Sequence, residues 1–265
     1  MAAPNSAALV TGASSGIGLE FARLLAAEGR DLLLVARSQD RLEEIKDELV
    51  ARHGVIVRCL AVDLTHQDAA ERVANAAAGL FVDLLINNAG VGVLGRFHET
   101  NRDDQLNLTR LNVDAVVELT HRFVGPMIEH GQGGVLNVAS MAGFTPGPLM
   151  STYYASKAFV VSFTEALALE LRDTGVTVSA LCPGPVPTNF QARAGIVRKG
   201  STVLPSLSAR YVAEAGLKGL RAGKTVVVPG LLNKVLVAVM RVTPRRMSAA
   251  AVHKVQTSRT GEQRE

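Results

Sequence analysis

The chain has 265 residues, 48% of them hydrophobic and 4% aromatic, with no Trp, a net charge of +4 and a pI near 9.3. That length and apolar content fit one large domain with a core of Ala, Val and Leu, and exclude a disordered or fibrous chain. The positive excess is small and reads as spread along the chain, which argues against a nucleic-acid footprint and is compatible with an anionic ligand.

Apolar runs predict strands at residues 7–11, 31–36, 55–62, 82–86, 134–139, 176–181 and 225–228. Between them, residues 17–28, 39–52, 67–78, 104–129 and 152–174 read as helices. Phe21, Leu24 and Leu25 mark the apolar face of the first, and Leu42, Ile45 and Leu49 that of the second. Alternating strands and helices predict an α/β fold, a doubly wound sheet of about seven parallel strands with helices on both faces. Right-handed crossovers put the strand C-terminal ends on one edge, where ligands bind. One domain is expected over 1–265. Within it, 183–207 is rich in Pro, Gly and polar residues and reads as a mobile substrate lid. Residues 231–265 read as a C-terminal helix and tail, frayed from about Ser248.

Cys59 and Cys182 end apolar runs and are expected to be reduced, buried thiols. Residues 1–6 lack a basic leader and no run of about 18 apolar residues occurs, so a cytoplasmic protein is the default expectation. The six histidines show no metal-like spacing, and no metal is expected.

Thr11-Gly12-Ala13-Ser14-Ser15-Gly16-Ile17-Gly18 joins the first strand to the first helix. Its glycines, spaced G-x-x-x-G-x-G, let the backbone turn sharply and approach a pyrophosphate, which the helix N-terminus attracts through its amides and dipole. A plain tight turn is the alternative. Gly12, Ser14, Ser15, Gly16, Ile17 and Gly18 are the candidate contacts. An NAD site carries a carboxylate about 20 residues after the glycines. Here Arg37 and Ser38 stand instead, a guanidinium suited to a 2′-phosphate with a hydroxyl beside it. NADP(H) is therefore expected over NAD(H).

Asp63 either accepts from an adenine amino group, with Leu64 against the ring, or caps the turn that follows it. Asn87-Asn88-Ala89-Gly90 follows the fourth strand. Asn88, Ala89 and Gly90 suit close passage of a ribose, Asn87 can tie neighbouring strands together, and a structural role for Asn88 is equally open.

Tyr153 and Lys157 are four residues apart and share one face of the predicted helix. A free phenol, with a pKa of about 10, exchanges protons poorly at neutral pH. An ammonium beside it is expected to lower that value, so that Tyr153 can give a proton to a carbonyl or take one from an alcohol. Tyr154, at a spacing of three from the lysine, is not expected to take this role.

Together, TGASSGIG at 11–18, NNAG at 87–90, a serine 13 positions before the tyrosine, and Y-x-x-x-K at 153–157 resemble the short-chain dehydrogenase/reductase family in its ordinary single-domain form. The resemblance covers about 7–228. It implies a Rossmann-type fold, a nicotinamide cofactor and carbonyl/alcohol oxidoreduction. It implies Tyr153 as acid/base, Lys157 as the residue that tunes it and holds the nicotinamide ribose, Ser140 as the group holding the substrate oxygen, and Asn112 as the holder of a water next to the lysine. It further places Val113 on the adenosine side, and Pro183, Gly184, Val186 and Thr188 beside the nicotinamide.

The activity so implied is hydride transfer between NADP(H) and a ketone, aldehyde, or lipid-like or steroid carbonyl. A 3-oxoacyl thioester reductase is the alternative within enzymes, and a non-catalytic NADP(H)-sensing or scaffold protein the alternative outside them. Homodimers or homotetramers through the helices at 104–129 and 152–174 are usual in the resembling family. Leu231, Leu232, Val235, Leu236, Val239 and Met240 form a helical stripe with Lys234, Arg241, Arg245 and Arg246 nearby. It is expected to pack on the domain or a second subunit rather than on a membrane surface. Arg193, Arg198 and Lys199 are expected to be solvated lid charges.

Overall fold

A computed structural model describes residues 6–188, 190, 194–195 and 206–260. The elements run β1 (Ser6–Thr11), α1 (Gly16–Ala27), β2 (Asp31–Ala36), α2 (Gln39–His53), β3 (Val57–Ala61), α3 (Ala69–Ala76), β4 (Phe81–Asn87), α4 (Arg102–Thr109), α5 (Ala115–Glu129), β5 (Gly133–Val138), α6 (Ser151–Glu170), β6 (Val176–Leu181), α7 (Ala209–Arg221), β7 (Val226–Val227), α8 (Leu231–Val242) and α9 (Arg245–Thr260). The strands form one parallel sheet in the order β3-β2-β1-β4-β5-β6-β7. This is the Rossmann-type arrangement the sequence predicts.

The continuous apolar strands exist because both sheet faces are covered. Successive side chains point to opposite faces, so β1 sends Ala8 and Val10 into the core under α1, α2 and α7, and Leu9 into the core under α3 and α5. In β2, Leu32 and Leu34 join the first core, and Leu33 and Val35 the second. A one-residue slip of either strand would exchange its two faces. At the edge where β1 and β4 meet, the crossover direction reverses, and this opens a crevice at the strand C-terminal ends.

Two polar links fasten that edge. Asn87 Nδ2 donates to Asn137 Oδ1 of the neighbouring strand at 2.9 Å and to Thr120 Oγ1 at 3.0 Å. Asn137 Nδ2 in turn donates to Thr164 Oγ1 at 3.0 Å. Asn87 therefore ties β4 to β5, as its position suggested.

Three expectations need correction. The helical region from 102 to 129 is broken by a π turn over Arg110–Asp114. The segment from Ser248 onward is not a frayed tail among the described residues: α9 runs through it and buries Ser248 and Gln256. Its polar composition hid two inward positions, which a search for apolar periodicity does not register. Helix α7, between the lid and β7, was not anticipated at all, although Val212, Ala213, Leu217 and Leu220 face the core from it. Arg193, Arg198 and Lys199 lie outside the described residues, as does most of the expected lid.

Candidate active site

A cavity of about 820 Å³ occupies the crevice. At one end lies the glycine turn. Gly12 and Gly16 adopt φ of +66° and +59°, the left-handed region where a Cβ is costly. Gly18 is needed for another reason: a Cβ there would lie 2.3 Å from Gly12 O and 2.5 Å from Asn88 Nδ2. Asn88 explains that crowding. Its Nδ2 donates to Thr11 O at 2.8 Å, and its backbone N–H and that of Ala89 donate to Thr11 Oγ1 at 2.9 and 3.0 Å. The turn is thus braced from β4, and Ala13 N–H holds it to β2 through Val35 O. Ser15 caps α1 without a side-chain hydrogen bond, so no capping side chain takes up the first-turn amides, and Ser15, Gly16 and Ile17 line the cavity. Such a cradle fits a pyrophosphate.

Further along, Arg37 and Asp63 line the same cavity with Leu64. Asp63 Oδ1 accepts from Thr65 N–H at 3.0 Å and Thr65 Oγ1 at 2.9 Å, which is the turn-capping alternative. Burial pulls this carboxyl upward, but the two Thr65 hydrogen bonds and the nearby Arg37 guanidinium hold it below its ordinary range. Ser38 does not line the cavity; it is exposed at the N-terminus of α2.

The other end of the cavity collects Ser140, Tyr153 and Lys157. Ser140 follows β5 and caps a 3-10 turn, its Oγ accepting from Ala142 N–H at 3.1 Å. The Ser140 side chain lies close enough to the Tyr153 phenol to act on it. Lys157, one turn on in α6 and buried, sends Nζ to Val138 O at 2.8 Å and lies 5.9 Å from the Tyr153 ring centre. Enclosure by the protein pushes the Tyr153 phenol up to about 12, against the lowering effect of Ser140. The same enclosure pushes Lys157 down to about 8. The expected lowering of Tyr153 by the ammonium is therefore absent here: desolvation disfavours the charged form of both groups and dominates each shift. At neutral pH the pair is a neutral phenol and a cationic amine, suited to donating a proton.

Asn112 sits in the π turn, fully buried and outside the cavity wall. Its Oδ1 accepts from Val91 N–H at 3.0 Å, and its Nδ2 donates to Val91 O at 2.9 Å and Ser156 Oγ at 3.1 Å. It is a brace between the loop after β4 and α6. Gly90 separates it from Lys157: a Cβ on Gly90 would lie 3.2 Å from Asn112 Oδ1 and 3.4 Å from Lys157 Nζ. Val113 and Gly18 likewise do not line the cavity.

Pro183, Gly184, Val186 and Thr188 do line it. Thr188 stands over the glycine turn, 3.0 Å from where a Gly16 Cβ would be. The segment is held by Met141 N–H to Pro183 O at 3.0 Å, and Gly184 is in contact with the buried Asn233 of α8.

Sequence reasoning missed an apolar chamber beyond Tyr153. Val93, Leu94, Leu111, Met150, Phe190 and Val252 are among its walls. Tyr154 joins them, its hydroxyl accepting from Gln256 Nε2 at 3.1 Å. Of its wall residues the sequence singles out only Tyr154, as a tyrosine not expected to take the acid/base role, and Met240, for packing in the helical stripe. No local pattern marks the others, because they come from separate loops and from α9.

A family model described as short chain dehydrogenase matches residues 6–196. The chain is similar to the very-long-chain 3-oxoacyl-CoA reductase of Pyrenophora tritici-repentis, 36% identical over 205 residues, 75% of this chain and 59% of that protein. It is also similar to the 17-beta-hydroxysteroid dehydrogenase type 3 of Mus musculus, 34% identical over 186 residues, 68% of this chain and 60% of the other. The chain thus spans about 60% of the length of these curated relatives. Among solved structures, a short-chain dehydrogenase from Sphingobium yanoikuyae in complex with NADPH superposes with a TM-score of 0.79 at 32% identity, covering 91% of this chain and 97% of that one.

Proposed function

The chain belongs to the short-chain dehydrogenase family, and from that premise we propose that it is an NADP(H)-dependent reductase of a carbonyl on an apolar substrate, a 3-oxoacyl thioester first among them. The observation that carries this is that Ser140, Tyr153 and Lys157 share one wall of the cavity that the glycine turn also lines, with Lys157 Nζ 5.9 Å from the Tyr153 ring centre.

The cofactor, when bound, supplies the hydride. The glycine turn and first turn of α1 hold its pyrophosphate, and Arg37 holds the 2′-phosphate. Support for NADP(H) is that guanidinium at the end of β2 and the NADPH bound to the Sphingobium yanoikuyae structure. Ser140 and Tyr153 hydrogen-bond the substrate carbonyl oxygen, and Tyr153 passes it the phenolic proton. Lys157, anchored by Val138 O and lining the cavity, would hold the nicotinamide ribose. Asn112 is a positioning residue that fixes α6 to the loop after β4. A protonated Tyr153 is the form that donates a proton in the reductive direction.

The chamber's apolar walls support a long or bulky hydrocarbon substrate, as do the names of the 3-oxoacyl-CoA reductase and hydroxysteroid dehydrogenase relatives. The same reading includes a homodimer or homotetramer through α4, α5 and α6, supported by the exposed Leu106, Ile128, Phe159 and Leu169 on those helices.

The test is NADPH consumption with 3-oxoacyl thioesters, ketosteroids and simple ketones, with NADH in parallel and Tyr153→Phe as the blank. Turnover lost by more than about a thousandfold in the blank, with NADPH affinity kept within a few fold, is the expected result. Tight NADPH binding without turnover on any class would return the reading to a cofactor sensor.

A further inference from the structure

Helix α8 turns two different faces to two different surroundings. Asn233 and Val237 are buried against the domain, and Met240 lines the cavity. On the opposite face Leu231, Leu232, Val235, Val239 and Val242 are all exposed, Leu231 at 79% and Val242 at 82%. At 100° per residue these five fall within one arc with no charged residue inside it. Met247, at the start of α9, extends the patch at 64% exposure. The stripe expected to pack inward therefore does so only on its minor side.

The charge is equally uneven. Residues 231–260 hold six of the chain's 28 Lys and Arg and none of its 24 Asp and Glu. The rest of the chain has more acids than bases, so the whole positive excess resides in this helix pair. This corrects the earlier reading of an evenly spread charge. Lys234 flanks the apolar arc, and Arg245 and Arg246 open α9. Two arginines with no acid in a first turn oppose the helix dipole. Local helix energetics does not explain them.

We infer that the outer face of α8, with the first turn of α9, docks on an anionic lipid surface. The five apolar side chains enter the headgroup–acyl boundary while Lys234, Arg245 and Arg246 meet anionic headgroups. A second copy of the chain fits this face poorly, since a two-fold interface sets the same acid-free cationic surface against itself. The proposed contact is that of helices lying in the interface plane; among the described residues no helix is long and apolar enough to cross a membrane. Docking also has a geometric consequence. Met240 of α8 and Ala251, Val252 and Val255 of α9 line the cavity from the inner side of the same helix pair, and Ala251 and Val255 are exposed at its mouth. The cavity thus opens beside the lipid-facing patch. That consequence for substrate entry rests on the proposed reductase reading; the docking itself does not.

The experiment is co-sedimentation of the full chain with phosphatidylglycerol vesicles and with phosphatidylcholine vesicles at low salt, read without any turnover. Two variants run beside it: Leu231→Gln with Val235→Gln and Val239→Gln, and Lys234→Gln with Arg245→Gln and Arg246→Gln. All six side chains are exposed, and unchanged thermal unfolding shows that each variant folds. The expected result is binding to the anionic vesicles at least about tenfold tighter than to the neutral ones, weakened by salt, and lost by about tenfold in either variant. Failure to bind anionic vesicles at low salt overturns the proposal, and so does binding unchanged in the apolar variant. Light scattering that finds a dimer which the apolar variant splits also overturns it, in favour of a protein interface.

Discussion

The side-chain amide of Gln256 donates to the hydroxyl of Tyr154 at 3.1 Å, joining α9 to α6, the helix that carries Tyr153. Gln256 is buried and its Nε2 also lies 3.4 Å from Met150 Sδ. The contact pins α9 across the open side of the apolar chamber. Gln256→Ala is predicted to raise KM for long apolar substrates by about three- to tenfold while changing kcat less, since one buried hydrogen bond contributes about 0.5–1.5 kcal/mol. A thermal-unfolding cycle with Tyr154→Phe is predicted to show coupling of about that size. Strict additivity would mean that the two side chains do not act together.

Lys157 gives a stability prediction with a defined pH window. Its folded-state value is about 8, below the ordinary 10.5. Between those values the unfolded chain binds more protons than the folded one, so folding stability rises with pH across roughly 8 to 10.5. Below that window the cost is constant and fully present. Lys157→Met removes the titration. The wild type is therefore predicted to gain on the variant, by about 1–3 kcal/mol, as pH goes from 7 to 10. Chemical denaturation of the two proteins at several pH values measures this, and parallel curves would reject it.

Arg37, on the cavity wall at the end of β2, is the proposed discriminating contact for the cofactor. Arg37→Ala is predicted to weaken NADPH by about ten- to a hundredfold and NADH by less than about threefold, in line with loss of a charge-assisted pair to a phosphate. Equal losses for both nucleotides, measured by fluorescence titration, would remove Arg37 from the 2′-phosphate site.

Gly18 tests the packing of the cradle. An alanine Cβ at this position meets Gly12 O and Asn88 Nδ2 far inside contact distance. Gly18→Ala is predicted to cost about 1–3 kcal/mol of stability and to weaken either nucleotide alike, because the turn itself must shift. A variant that melts with the wild type and binds NADPH normally would show that the turn yields without cost.

Much of the fold was legible in the chain. Seven apolar runs separated by helical periods lead to one parallel sheet, because strands buried on both faces read as unbroken hydrophobic stretches. The glycine spacing, Arg37, and the Tyr153–Lys157 pair all lie within short segments, and the cavity brings each to its wall. Ser38 and Gly18, read from the same short segments, and Asn112 and Val113, implied by the resemblance, lie off the wall, because position in sequence does not fix which way a residue faces. Asp63 shows its capping alternative in its bonds to Thr65.

What the sequence by itself determined was the layered α/β fold and the chemistry of the groups at its crevice, since strand period, glycine conformation and residue type are local properties. Tertiary structure decided the electrostatics and the surroundings. Enclosure sets Tyr153 high and Lys157 low, against the effect expected from their spacing alone. A π turn makes Asn112 a brace, and α9 returns to wall the chamber with residues that carry no local signal. Desolvation and long-range contact depend on what the rest of the chain brings near a group, and no window of sequence contains that.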